Sequence, residues 1–114
     1  MKKVIASPDA PKAVGPYSQA IEAGGTLYIS GQLPINPADG KIPETIAAIL
    51  KEAGYTFEDV VKTTVLLDDM HNFAAMNGVY ARYYTKDMPA RVCYQVAKLP
   101  MGVKVEIDTI AVKK

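Results

Sequence analysis

The chain has few of the residues that build disulfides, metal sites and covalent catalytic centres. Its 114 residues include one cysteine, Cys93, one histidine, His71, and no tryptophan. A lone thiol cannot form an internal disulfide, which is typical of a reducing compartment. A single histidine without clustered ligands predicts no zinc site, and the sequence has no phosphate-binding loop or dinucleotide fingerprint. We therefore expect a cytoplasmic protein with no metal and no cofactor.

Long apolar runs and clusters of like charge are also missing. No run reaches the roughly 18 apolar residues that a membrane span needs. The two lysines near Met1 have no apolar stretch behind them, so we expect no secretory signal. The net charge is +1, and acids and bases are interspersed, unlike the basic stripe of nucleic-acid-binding proteins. We expect a single domain over residues 1–114 whose partners include neither membrane nor nucleic acid.

The patterns that are present predict the element order β-β-β-α-β-α-β-β. Strand-like runs flank Gly24-Gly25, which predicts a hairpin there, while residues 34–40 have the composition of a turn. One helix is expected from Pro43 until Gly54 stops it, and a second is expected after a cap at Asp68 or Asp69. This order predicts an α+β fold, a mixed or antiparallel sheet with both helices on one face. The other face of the sheet would then be exposed to solvent. An exposed apolar face usually associates with another chain, such as a second copy of the same protein.

The last two predicted strands are residues 91–97 and 103–112. If these strands form a hairpin, Arg91 and Glu106 lie close together. If the apolar sets of the two strands share the buried face, then Arg91, Cys93 and Glu106 share the other. Two interpretations remain open. The pair is either a solvated cross-strand ion pair, worth under about 1 kcal/mol, or a guanidinium that binds a substrate carboxylate beside a carboxylate that handles a proton.

Three further residues allow a structural or a functional interpretation. Cys93 is a small buried thiol or a nucleophile, and no histidine near it in sequence supports the second interpretation. Gly31 is a simple turn residue, or it lets a ligand approach the backbone closely. His71 is a solvated or capping residue at a helix start.

Several separate segments lie in order along nearly the whole chain: 15–20 (GPYSQA), 30–34 (SGQLP), 60–65 (VVKTTV), 69–77 (DMHNFAAMN) with 79–80 (VY), 89–93 (PARVC), 96–100 (VAKLP) and 105–107 (VEI). Together they resemble the Rid family (RidA, formerly YjgF). The resemblance implies a chorismate-mutase-like α+β fold that assembles as a homotrimer with three pockets between subunits.

The resemblance also implies a reaction and the residues that perform it. It implies hydrolytic deamination of reactive 2-imino acids and their enamine forms, such as 2-aminoacrylate and 2-iminobutanoate, to 2-oxo acids and ammonia. Arg91 would hold the substrate carboxylate, Glu106 would position or activate water, and Tyr17 would contact the substrate. The backbone at Gly31 and Cys93 would orient the imine nitrogen. Two alternatives stay open: a non-catalytic regulatory trimer that binds a metabolite, and an endoribonuclease-type relative.

The first helix departs from the family pattern. Family members carry a longer helix, and about a dozen residues, roughly three turns, are missing before Ile46. The pocket residues lie elsewhere in the sequence. A smaller departure is Tyr94, for which we expect a position on the helix side of the sheet.

Overall fold

The computed structural model describes residues 1–34 and 42–113, and in these residues the predicted element order is confirmed. The predicted turn over residues 34–40 lies, apart from Pro34, outside the described part of the chain. The helices are α1, Ile42–Ala53, and α2, Phe73–Tyr80. The strands are β1, Lys3–Ile5; β2, Ala20–Ala23; β3, Thr26–Gln32; β4, Val60–Leu67; β5, Ala90–Gln95; and β6, Val105–Val112.

Local signals place the turns and helix ends where the sequence predicts them. Gly24 and Gly25 have φ of 57° and 78°, which suits the tight turn of the β2–β3 hairpin. Gly54, with φ of 81°, ends α1, and the amide of Tyr55 donates to the carbonyl of Leu50 at 2.8 Å, the bond of a Schellman cap. Asp69 caps the short 3-10 turn that leads into α2, since its carboxylate accepts from the amide of His71.

The strands form one mixed sheet in the order β1-β2-β3-β6-β4-β5. The predicted hairpin between the last two strands is wrong, because β6 lies between β3 and β4, and β4 separates it from β5. Strand β5 instead runs parallel to β4. Parallel neighbours need a crossover, which the chain makes through α2 as a β-α-β unit.

Both helices cover the same face of the sheet. The side chains that α1 buries, among them Ile46 and Ile49, join a core with Leu27, Val65 and Ile107. Helix α2 packs its partly buried Phe73, Met76 and Tyr80 against that core. We call this the helix face. None of the helices in the described ranges is long and apolar enough to cross a membrane.

The opposite face, which we call the open face, carries large apolar side chains in contact with solvent. Register places Val4, Ile21, Tyr28 and Ile110 in one row across four strands. Tyr28 is 50% exposed, and Val92 and Tyr94 of β5 are 44% and 49% exposed. The expectation that Tyr94 packs on the helix side is therefore wrong. An apolar sheet face of this kind is typical of a surface that associates with another protein chain.

Candidate active site

A β-bulge in β3 brings Gly31 against Glu106. Ile29 pairs with Thr109 and Gln32 with Ile107, so Ser30 and Gly31 together face the single residue Asp108. A Cβ built on Gly31 would lie 2.9 Å from Cδ and 3.2 Å from Cγ of Glu106 and would overlap the carboxylate. Only a residue without a side chain leaves the carboxylate in this position. The close approach at Gly31 is thus made by a side chain of the same chain, and the approach of a ligand to this backbone stays a prediction.

Glu106 lies on the open face in surroundings that favour its protonated form. It is half-buried, and Asp108 follows it on the same face of β6. Burial, and then the negative charge of Asp108, raise the pKa of the Glu106 carboxyl above its ordinary value. A carboxylate with a raised pKa is a better general base and acid near neutral pH than an ordinary glutamate.

Tyr17 lies on the segment that runs beside the same bulge. The hydroxyl of Ser30 donates to the carbonyl of Ser18 at 2.6 Å, and the amide of Ser30 donates to the carbonyl of Gln19 at 2.9 Å. The buried Gln19 side chain in turn accepts from the amide of Ser7 and donates to the carbonyl of Pro11, which fixes the proline-rich loop. The Tyr17 side chain is 49% exposed. The segment that carries Tyr17 is therefore bonded to the residue before Gly31, while the Tyr17 hydroxyl itself accepts from the amide of Val14 at 3.4 Å.

Arg91 and Cys93 lie on the other face of the sheet, and the predicted Arg91–Glu106 face is wrong. Val65 pairs with both Cys93 and Ile107, whereas Leu66 pairs with Tyr94 and Glu106. Paired residues share a face, so Cys93 and Arg91 point to the helix face and Glu106 to the open face. The intervening β4 sets their strands about 10 Å apart. This placement removes the cross-strand ion pair as well as a shared pocket within one chain.

The Arg91 side chain folds over α2. Its Nη1 donates to Oδ1 of Asn77 at 2.7 Å, and its Cζ lies 5.0 Å and 5.7 Å from the ring centroids of Tyr80 and Phe73. The hydroxyls of Tyr80 and Thr63 are 2.8 Å apart, which fixes the Tyr80 ring. A guanidinium has five N–H donors, and within the described ranges we find a hydrogen-bond partner for one of them. Arg91 is exposed, so the others are available to an anion.

Asn77 is the residue of this cluster whose role the sequence analysis missed. It follows Phe73 by four residues and precedes Tyr80 by three, so the three side chains share one face of α2. This spacing is the sequence signal that could have identified Asn77. It places a hydrogen-bonding amide on the face of α2 that the strand after the helix can contact.

Cys93 has the properties of a structural thiol. It is half-buried, and burial raises its pKa, although the charge of Arg91 opposes this effect. A thiol with a raised pKa is a poor nucleophile. His71 is exposed, and in the described residues no group of three or more His, Cys, Asp or Glu could hold a metal ion.

The family profile described as Endoribonuclease L-PSP matches residues 7–113. The chain belongs to this family, which includes the Rid proteins. It is 49% identical to a RutC family protein of Pyrococcus horikoshii, covering all of both chains. It is 45% identical to the mouse 2-iminobutanoate/2-iminopropanoate deaminase, covering 99% of this chain and 93% of that protein.

Solved structures agree with this assignment. A Rid-family protein from Yersinia pestis has 40% identity and a TM-score of 0.92 over 99% of this chain and all of that one. The TdcF protein of Escherichia coli, solved with bound serine, has 38% identity and a TM-score of 0.88 over 98% and 99% of the two chains. The alignment with the Pyrococcus relative spans 126 positions against 114 residues here, so 12 positions are gaps in this chain. That number equals the dozen residues expected to be missing, and their place before Ile46 stays a prediction.

Proposed function

We propose that this Rid-family protein is a hydrolytic deaminase of 2-imino acids and their enamine forms. The observation that supports it most is the Glu106 carboxylate held over Gly31 with a raised pKa. Relatives named as 2-iminobutanoate/2-iminopropanoate deaminases support the reaction type. The serine bound to TdcF has, like a 2-imino acid, a carboxylate and a nitrogen on the same carbon.

The reaction requires orientation and one proton-handling group. The fork of the Arg91 guanidinium binds the substrate carboxylate through two N–H donors. Glu106 takes a proton from water while the water oxygen bonds to the carbon of the protonated imine, whose C=N π electrons become the nitrogen lone pair, which gives a neutral carbinolamine. The protonated Glu106 then returns the proton to the amine. As the C–N bond breaks, the carbinolamine oxygen forms the carbonyl and gives its proton to Glu106, a 2-oxo acid and ammonia leave, and the ammonia takes that proton as ammonium. The backbone at Gly31 and Cys93 orients the nitrogen, and Tyr17 contacts the substrate. No metal or cofactor enters these steps.

Because Arg91 and Glu106 point to opposite faces of one sheet, the proposed site uses two chains. Arg91 and Cys93 lie on β5, which has no strand on its outer side in the described part of the chain, so its edge is open to a neighbour. The exposed apolar side chains of the open face, including Tyr28 and Tyr94, provide the contact surface. We propose a closed homotrimer in which Arg91 and Cys93 of one chain complete the Tyr17–Gly31–Glu106 group of the next.

An imine-clearance assay tests the proposal. An amino-acid oxidase or a threonine dehydratase generates the imine, and its decay is followed with wild type, Arg91→Ala and Arg82→Ala. Arg82 is the other arginine of the chain and is exposed two residues beyond the end of α2, so it serves as a matched control. We expect wild type and Arg82→Ala to accelerate the decay and Arg91→Ala to lose the acceleration.

Two other results would change the conclusion. If wild type binds a 2-oxo acid without accelerating imine decay, the protein is a metabolite-binding trimer and the deaminase proposal is wrong. Equal rates with Arg91→Ala and Arg82→Ala would remove Arg91 from the site.

A further inference from the structure

A cavity with mostly apolar walls opens on the helix face, away from Gly31 and Glu106. It has a volume of about 300 Å³ and lies between the first turn of α1, helix α2 and the sheet. Its walls include Ile42 of α1, Met76 and Val79 of α2, and Val105 and Ile107 of β6. A concave apolar site of this size falls at the lower end of the range in which proteins bind small molecules.

The start of α1 borders the cavity. Helix α1 begins at Ile42, and its first two residues, Ile42 and Pro43, form the cavity wall. The chain lacks 12 of the positions that align it with its Pyrococcus relative. A helix that began several turns earlier would extend past this wall.

Among the described residues that line the cavity, one has a charged side chain, Lys104. It is exposed where β6 begins, next to Val105. None of the described residues that line the cavity is acidic, and the nearby Asp68 carboxylate accepts a hydrogen bond from the lining Asn72. An apolar chamber with a cation at its rim favours an amphipathic anion, because the chain is buried while the head group stays solvated beside the ammonium. We propose that the cavity binds a small carboxylate with an apolar chain, with the chain between α1 and α2 and the carboxylate at Lys104. This ligand differs from the short 2-imino acids of the proposed reaction.

Octanoate is a suitable probe, and calorimetric titration of the full chain measures its binding. Ala75 and Ala74 are adjacent exposed residues of α2, and only Ala75 lines the cavity. A tryptophan at position 75 fills the cavity from its rim, so Ala75→Trp should weaken octanoate binding at least ten-fold while Ala74→Trp leaves it unchanged. Lys104→Met should weaken octanoate several-fold, whereas Lys98→Met, at another exposed lysine, should not. Uncharged 1-octanol should bind wild type and Lys104→Met alike.

Arg91 is also an anion-binding group, so the test includes Arg91→Ala. Octanoate binding that persists in Arg91→Ala and fails in Ala75→Trp supports the cavity site, whether or not the protein deaminates imines. Binding that Arg91→Ala abolishes would place the carboxylate at Arg91 and overturn the proposal. Equal affinities of Ala75→Trp and Ala74→Trp, or no binding of millimolar octanoate to folded wild type, would overturn it as well.

Discussion

Substitution of Gly31 by alanine separates the function of this residue from its structural role. The backbone φ of Gly31 lies outside the positive range that disfavours side chains, so alanine fits the backbone. Its Cβ, however, would lie 2.9 Å from Cδ of Glu106, where ordinary contact begins at 3.4 Å. The carboxylate must therefore retreat by about 0.5 Å at Cδ, and further at the oxygen that faces Gly31.

The size of the expected effect follows from that displacement. Misplacement of a reacting group by about 1 Å can cost roughly 100-fold in rate, which is about 3 kcal/mol of transition-state stabilisation. We expect Gly31→Ala to lower kcat/KM for 2-iminobutanoate by about this factor in the imine-clearance assay. The melting temperature should change little, because Glu106 is half-buried and can turn toward solvent.

Gly78 provides the matched control. It lies in α2, and an added Cβ there meets nothing within 4 Å, so Gly78→Ala should stabilise the protein by up to about 1 kcal/mol and leave activity unchanged. The shorter side chain of Glu106→Asp makes room for the new methyl group. The double variant Gly31→Ala/Glu106→Asp should therefore lose less activity than the two single losses combined. Full activity in Gly31→Ala, or a loss of activity that parallels a loss of stability, would refute the reasoning.

Three other substitutions test the electrostatics and packing. Asp108→Asn removes a charge that raises the Glu106 pKa. Because the lower pKa keeps Glu106 ionised in more acidic solution, the acid limb of the profile of kcat/KM against pH should move to lower pH. An acid limb that does not move would contradict this. Asn77→Ala removes the acceptor for Arg91 Nη1. Hydrogen bonds to charged groups are worth about 1.5–3 kcal/mol, so this change should raise KM at least ten-fold. The control Asn72→Ala should leave KM unchanged. Thr109→Val replaces a buried hydroxyl that has no hydrogen-bond partner in the described residues and should stabilise the protein by about 1 kcal/mol; denaturant unfolding that shows a loss would reveal a partner for the hydroxyl.

Local features of this fold could be predicted from the sequence because neighbouring residues determine them. Gly24-Gly25 and Gly54 need positive φ, and the apolar periods of α1 and β4 indicate buried faces. Strand pairing could not be predicted in the same way. Alternation along β5 and β6 fixes relative faces only if the two strands are neighbours. The residues between the two predicted strands, 99–102 (LPMG), are typical of a tight turn and favour that interpretation.

The pairing that does occur depends on contacts far apart in sequence. Strand β5 pairs with β4 across α2, and β6 enters between β3 and β4. The strand–helix–strand pattern of residues 60–95 is also typical of a parallel β-α-β unit, which the sequence analysis did not weigh against the apparent hairpin. The consequence for the site is large, since it moves Arg91 to the face opposite Glu106. The bulge that places Gly31 has no sequence signal beyond the glycine itself.

The claim that the site joins two chains can be tested by mixing two inactive variants. Arg91→Ala and Glu106→Gln are co-expressed with different tags, and trimers that carry both tags are purified. If each site takes Arg91 from one chain and Glu106 from the next, every mixed trimer holds one intact site of three, so imine clearance should recover to about one third of the wild-type rate. If the mixed trimers remain as inactive as either variant alone, Arg91 and Glu106 do not meet across chains and the account of the site is wrong.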